Sequence, residues 1–143
     1  MAISSAVCTS FKVEILKGVH NFTASSGDTF KLALYTSDAS LGASTTAYTT
    51  SNEVSGSGYT AKGNALTSVT PVADSTTAVC DFADTSFTSA SFTARGCLIF
   101  NEDATGDPAV CAIDFGGDKT VSSGTFTIQF PAAAASTAIV RIA

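Results

Sequence analysis

The sequence predicts a mainly β fold, either an antiparallel β-sandwich or a jelly-roll-like barrel, with one short N-terminal helix. Three observations carry this prediction. Apolar and polar residues alternate with a period of two in several segments, clusters of Gly, Ser, Asn and Asp separate those segments, and the chain has no heptad pattern, internal repeat or alternation of helices with strands. With 143 residues, the chain is long enough for one domain, and we expect residues 1–143 to form it.

The helix is expected at about residues 4–17. Ser4 or Ser5 can cap its start, and Lys17 followed by Gly18 is typical of its end. The residues that recur at three- and four-residue spacing are Val7, Cys8, Phe11, Ile15 and Leu16. A helix this short must pack against the rest of the domain to persist.

After His20 the apolar residues alternate as they do in strands. Residues 29–35 place Phe30, Leu32 and Leu34 on one face, and residues 124–130 do the same with Phe126, Ile128 and Phe130. Further strands are expected at residues 78–82, 91–100, 109–115 and 138–142. Residues 37–64 form a long Gly-, Ser- and Thr-rich excursion, with weak strands near Val54 and Tyr59.

One hairpin allows a prediction of register. If residues 102–106 form its loop, Asn101 lies opposite Asp107, and Cys97 lies directly opposite Cys111. A disulfide between Cys97 and Cys111 is then sterically possible, and two adjacent buried thiols are the alternative. Both faces of this hairpin are apolar, so it is either central to a layered fold or covers a partner. The candidate interface residues are Phe11, Ile15, Leu98, Phe100 and Val110.

Charge and hydropathy exclude several classes of function. Seven Lys and Arg residues against twelve Asp and Glu residues, for a net charge of -5, argue against nucleic-acid binding. No uncharged apolar run approaches the 18 or so residues that a membrane-spanning helix needs. Lys12, Glu14 and Lys17 interrupt the region where a signal peptide would be apolar, so we expect synthesis in the cytoplasm without a signal peptide and no membrane partner.

The motifs that could support catalysis or metal binding are weak. Residues 101–107 have the oxygen side chains and the Gly of a calcium loop, but Ala112 stands where the closing acidic ligand belongs, which favours an ordinary hairpin turn. The four cysteines contain no CxxC pair, so a zinc site is not expected. His20 is the only histidine, and its place after the helix favours a turn or capping role. We therefore expect no enzyme, no metal and no cofactor.

Several phrases of the chain resemble a family of small virion structural proteins of tailed bacteriophages. They are FKLALYTS at 30–37, TSNEVSGSGYTAKGNALT at 50–67, DFADTSFTSASFTARGCLIFN at 81–101 and DFGGDKTVSSGTFTIQFP at 114–131. The resemblance implies a non-enzymatic component of the particle, made in the bacterial host cytoplasm and located in the virion. Its implied partners are copies of itself and the major capsid protein or neighbouring virion proteins.

The leading hypothesis is a capsid decoration, or cement, protein that binds the shell through the Leu98, Phe100 and Val110 face or through the N-terminal helix. Its charged content of only 13% suits a surface that is partly covered by neighbours. A neck, collar or tail component is the alternative, and a receptor- or glycan-binding module using Tyr35, Tyr48 and Tyr59 is the third hypothesis. Oxidation of the cysteines after lysis could staple the particle.

Overall fold

The computed structural model describes residues 2–143, which fold into two antiparallel β-sheets and one short helix. The strands are β1 (Ala6–Val7), β2 (Phe30–Tyr35), β3 (Asn64–Ala65), β4 (Ser68–Asp74), β5 (Thr77–Phe82), β6 (Thr85–Asn101), β7 (Ala109–Ile128) and β8 (Val140–Ile142), and the helix is α1 (Thr9–Leu16). A five-stranded large sheet has the order β1-β7-β6-β2-β3, and a three-stranded small sheet has the order β4-β5-β8. The prediction of a mainly β, sandwich-like fold with a short N-terminal helix is confirmed.

The core lies between the inner face of the large sheet, the small sheet and α1. Phe30, Leu32 and Leu34 of β2 point into it and are fully buried. The ring centroids of Phe30 and of Phe82 on β5 lie 5.9 Å apart. The alternation predicted for residues 29–35 therefore corresponds to one face of a central strand.

The outer face of the large sheet is covered by the excursion at residues 37–64. Tyr48 stacks on Phe100 of β6 with 4.8 Å between ring centroids, and Leu41 and Val54 are buried in the same core. Residues 97–100 of β6 are therefore buried on both faces, because the chain covers both of them itself. The weak strands expected near Val54 and Tyr59 are reduced to single bridges at Glu53 and Ser57.

The helix is shorter than predicted at its N-terminal end. It begins at Thr9 with Cys8 as the N-cap, and no side chain caps it, so the prediction of a cap at Ser4 or Ser5 is wrong. Residues 6–7 pair with β7 instead, which gives their backbone groups hydrogen-bond partners in a sheet. At the other end, Gly18 adopts a positive φ of 72°, as expected for a helix stop.

Strands β6 and β7 form one long hairpin of 17 and 20 residues, in which the segments predicted at 109–115 and 124–130 belong to a single strand. A bulge interrupts the pairing, since Gly96 opposes Asp114 whereas Ala94 opposes Lys119. Four residues of β7 therefore lie opposite Arg95 alone. Strand β4 was not predicted, because its valines are exposed and a proline interrupts its pattern.

The predicted register of the hairpin is wrong by two residues. Cys97 lies opposite Ile113, and Cys111 lies opposite Ile99. The loop is longer than expected because the N–H of Asn101 donates to the carbonyl oxygen of Pro108, and a further irregularity follows between Ile99 and Phe100. Since side chains alternate with a period of two, the shift keeps both cysteines on the inner face while separating them along it.

Candidate functional site

The predicted interface on the hairpin is not available at the surface. Leu98, Phe100 and Val110 are fully buried, and Phe11 of α1 is buried against the core. The excursion and the helix cover these side chains, so contact with a partner would require the domain to open. Of the predicted interface residues, only Ile15 is partly accessible. This corrects the prediction that the apolar hairpin binds a neighbour.

The four cysteines are free and buried, including the predicted pair Cys97 and Cys111. Diagonal neighbours on adjacent strands lie farther apart than the Cβ spacing of a disulfide allows. Burial raises the pKa of Cys8 to about 11 and those of Cys80 and Cys97 to about 12, and it also raises the pKa of Cys111. The thiols therefore stay protonated near neutral pH, where only the thiolate reacts readily.

His20 is buried and has both ring nitrogens engaged. The Oδ1 atom of Asn101 accepts from the N–H groups of Asp103 and Ala104, which assigns Nδ2 as the donor that lies 3.1 Å from Nδ1 of His20. The ring proton is thereby assigned to Nε2, 3.0 Å from the carboxylate of Glu14. The ring thus links the helix to the hairpin loop, rather than capping helix carbonyls, and has no free lone pair for activating a nucleophile.

The acidic side chains of the calcium-like loop bind donors of the chain itself. Asp103 accepts from the N–H of Thr29 at 2.5 Å, Glu102 lies 3.3 Å from Nζ of Lys31, and Asp107 lies 2.8 Å from Nζ of Lys62. These contacts tie the hairpin loop to its neighbours. Within residues 2–143, no group of three or more His, Cys, Asp or Glu side chains is arranged to hold a metal ion.

The tyrosines proposed as loop contacts are engaged within the excursion. The hydroxyl groups of Tyr48 and Tyr59 donate to the two carboxylate oxygens of Glu53 at 2.5 and 2.6 Å. The Tyr59 oxygen also accepts from the N–H of Leu34 at 2.9 Å. Burial, followed by the Glu53 carboxylate, raises the pKa of Tyr48 and Tyr59. Both side chains therefore fasten the excursion to the sheet.

A large open feature lies along β7, and we call it the β7 groove. Its wall is the alternating face of Phe126, Ile128 and Phe130, which remains only half-buried, whereas the equivalent face of β2 is fully buried. The groove has a volume of about 640 Å³. Its remaining lining residues are Cys97, Ile113, Phe115, Lys119, Thr127, Gln129, Pro131 and Ile139. It has the size and apolar lining of a binding cleft.

The bulge of β7 contributes Phe115 to the lining of the β7 groove. The bulge of β7 uses Gly116, at a φ of 80°, to bring Phe115 within 6.2 Å of Phe126, measured between ring centroids. Asp114 fastens this bulge by accepting from the N–H of Gly116 and from Nε of Arg95, which lower the pKa of its carboxyl group.

Among the residues that the structure describes, Lys119 is the only charged one that lines the β7 groove. Its neighbour Asp118 lies 3.9 Å from NH1 of Arg95. Lys119 itself has no carboxylate within 4 Å in the part of the chain that the structure describes. The groove therefore combines an apolar lining with one exposed positive charge.

A second apolar surface, the helix patch, lies between α1 and β8. Leu16 is 90% exposed and Ile142 is 54% exposed, and both line a groove with Ile15. Lys12 lines the same groove and adds a positive charge to it. The helix has apolar residues on two sides, since Phe11 packs inward while Leu16 points outward.

The sequence indicated the strand that forms the β7 groove but not its exposure. The alternation of Phe126, Ile128 and Phe130 looks the same as that of a core strand, because the pattern records which residues share a face and not what covers that face. In the tertiary structure this face stays open, and of the segment that follows β7 the residues Gln129, Phe130, Pro131 and Ile139 line the groove.

Comparison of the chain with models of protein families, with curated proteins and with solved structures finds no match. Within residues 2–143, the structure contains no helix with the length and apolar character needed to cross a membrane.

Proposed function

We propose that this chain is a non-enzymatic structural protein of a tailed-phage particle, and that it acts as a decoration, or cement, protein on the capsid shell. The observation that carries the proposal is that one small domain leaves two separate apolar surfaces uncovered, the β7 groove and the helix patch. Two such surfaces allow a protein to contact two neighbours at once, as a component of an assembled shell must.

The surface composition supports the same proposal. Charged residues make up 13% of the chain, about half of the usual ~25%, so little charge must be desolvated when neighbouring proteins cover the surface. The resemblance of several sequence phrases to phage virion proteins supports it independently. The helix patch takes the place of the buried Leu98 and Phe100 face as the surface that would contact the shell.

The absence of enzymatic activity is part of the proposal. His20, the only histidine of the chain, is engaged at both ring nitrogens by Asn101 and Glu14. The four thiols are buried and have raised pKa values. The most reactive side chains of the chain, His20 and the four cysteines, therefore have structural roles.

Quantified proteomics of purified phage particles tests the proposal. A decoration protein is expected in a copy number comparable with that of the major capsid protein, in the hundreds per particle. A copy number of six, twelve or a few dozen would instead support the alternative of a neck, collar or tail component. Absence of the chain from purified particles would overturn both assignments.

Binding to the shell can be tested with a matched pair of variants. Leu16→Glu places a carboxylate on the helix patch and is expected to reduce binding to particles that lack the protein by at least about tenfold. Thr125→Glu introduces the same charge at an exposed position away from the helix patch and should bind as the wild type does. Equal binding of both variants would contradict a role for the helix patch.

A further inference from the structure

The hairpin of β4 and β5 carries a face that complements the β7 groove. Val69 lies opposite Asp81 and Val72 lies opposite Val79, so an irregularity between the two pairs brings Val69 and Val72 to the same face although they are three residues apart. These valines are 45% and 58% exposed. We call Val69, Val72 and Asp81 the hairpin face.

The segment that contains the hairpin face carries only negative charge. Residues 63–94 contain three aspartates and no Lys, Arg or His. A cation on the same side of the small sheet, Arg141, lies two strands from β4 and donates to the carbonyl oxygen of Ala135. The hairpin face therefore combines two exposed apolar side chains with a carboxylate, which complements the apolar lining and the Lys119 charge of the β7 groove.

Strand β4 is also an edge of the small sheet. An exposed edge strand tends to associate with another chain, and a proline within it discourages pairing through the backbone. Pro71 occupies the middle of β4, and the hydroxyl of Thr70 accepts from the N–H of Ala24. Contact through side chains is therefore favoured over extension of the sheet.

We propose that the β7 groove binds the hairpin face of a second copy of this chain. Val69 and Val72 pack against the half-buried wall of Ile128 and Phe130, and Asp81 lies near Lys119. The proposal rests on the proposed function, because it identifies the neighbour that covers one of the two apolar surfaces. The helix patch then remains free for the shell.

The contact joins unlike surfaces, the groove of one copy and the hairpin face of another. Two grooves facing each other would bring Lys119 against its own copy, and two hairpin faces would bring Asp81 against its own copy, so a symmetric contact of either kind places like charges together. One such contact leaves one groove and one hairpin face free, and these either pair with each other in a closed two-fold dimer or bind further copies in a ring or an open chain.

Mixing two complementary variants tests the proposal directly. Ile128→Glu damages the groove and leaves the hairpin face intact, while Val72→Glu does the reverse. Sedimentation velocity of the full chain should show concentration-dependent oligomers for the wild type and an association at least about tenfold weaker for each variant alone. The equimolar mixture should form a 1:1 dimer that does not grow, because only one functional contact remains.

Controls separate this contact from loss of folding and from the proposed function. If circular dichroism shows that Ile128→Glu is unfolded, Lys119→Glu, at an exposed position, serves as the groove variant instead. Val13→Glu is the matched control for Val72→Glu, because it replaces another half-exposed valine, and it should associate as the wild type does. A wild type that stays monomeric at about 1 mM, or a mixture that associates no better than its components, overturns the inference. Presence of the chain in purified particles would still support the proposed function in that case.

Discussion

Asn101 is predicted to be the side chain whose polar contacts matter most for stability. It is fully buried at the end of β6. Its Nδ2 donates to Nδ1 of His20 at 3.1 Å and to Asp28 at 2.8 Å, and its Oδ1 accepts from the N–H groups of Asp103 and Ala104. Asn101→Ala removes all four contacts and leaves most of the surrounding apolar packing in place.

The expected loss of stability depends on which hydrogen-bond partners of Asn101 can be solvated by water once its side chain is removed. Asp28 and the N–H groups of the loop lie near the surface and can be solvated, so their lost contacts cost about 1 kcal/mol together. The His20 ring is buried, and leaving its Nδ1 atom without a donor costs about 1 to 3 kcal/mol. Asn101→Ala should therefore lower the free energy of unfolding by about 3 kcal/mol, by the same reasoning.

Urea denaturation followed by circular dichroism measures this loss, and a double-mutant cycle identifies its source. His20→Phe removes the buried acceptor and keeps an aromatic ring beside Phe11, which lies 4.9 Å from the His20 ring. In this background Asn101→Ala should cost at least about 1 kcal/mol less than in the wild type. A loss below about 1 kcal/mol in the wild type, or the same loss in both backgrounds, would refute the argument.

Three further outcomes are expected. Tyr59→Phe should lower the free energy of unfolding by about 2 kcal/mol and Tyr48→Phe by about 1 kcal/mol. The difference is expected because the Tyr59 hydroxyl also accepts from a backbone N–H, and equal losses in urea denaturation would contradict it. Gly63→Ala should cost at least about 2 kcal/mol, since φ is 70° and the added Cβ would overlap the carbonyl oxygen of Leu32, whereas Gly117→Ala, with open space around it, should change the melting behaviour little. Mass spectrometry after iodoacetamide treatment near neutral pH should find the four thiols alkylated only once the chain is denatured, and a mass lower by two hydrogen atoms would instead indicate a disulfide.

Local patterns predicted most of the strands because they depend on short-range chemistry. The period of two at residues 29–35 and 124–130 and the stop at Gly18 each express a backbone preference that neighbouring residues decide. The start of the helix was predicted wrongly because residues 6–7 found hydrogen-bond partners in β7, more than 100 positions away. Tertiary pairing overrode the local preference there.

The hairpin of β6 and β7 shows that the sequence also could not decide what covers an apolar side chain. The sequence correctly indicated that both faces of residues 97–100 are apolar, but two explanations of that pattern were open, a partner or a second layer of the same chain. The excursion supplies that layer, with Tyr48 stacked on Phe100. The register depended on the hydrogen bond between Asn101 and Pro108, which no pattern of hydropathy contains.

The sequence by itself determined the fold class, the acidic and charge-poor composition, and the apolar faces of the main strands. Only the tertiary structure decided which of those faces remain uncovered. Phe30, Leu32 and Leu34 are fully buried, whereas the same pattern at Phe126 and Ile128 lines an open groove. The physical reason is that alternation records which side chains share a face, while exposure depends on distant segments that pack against it.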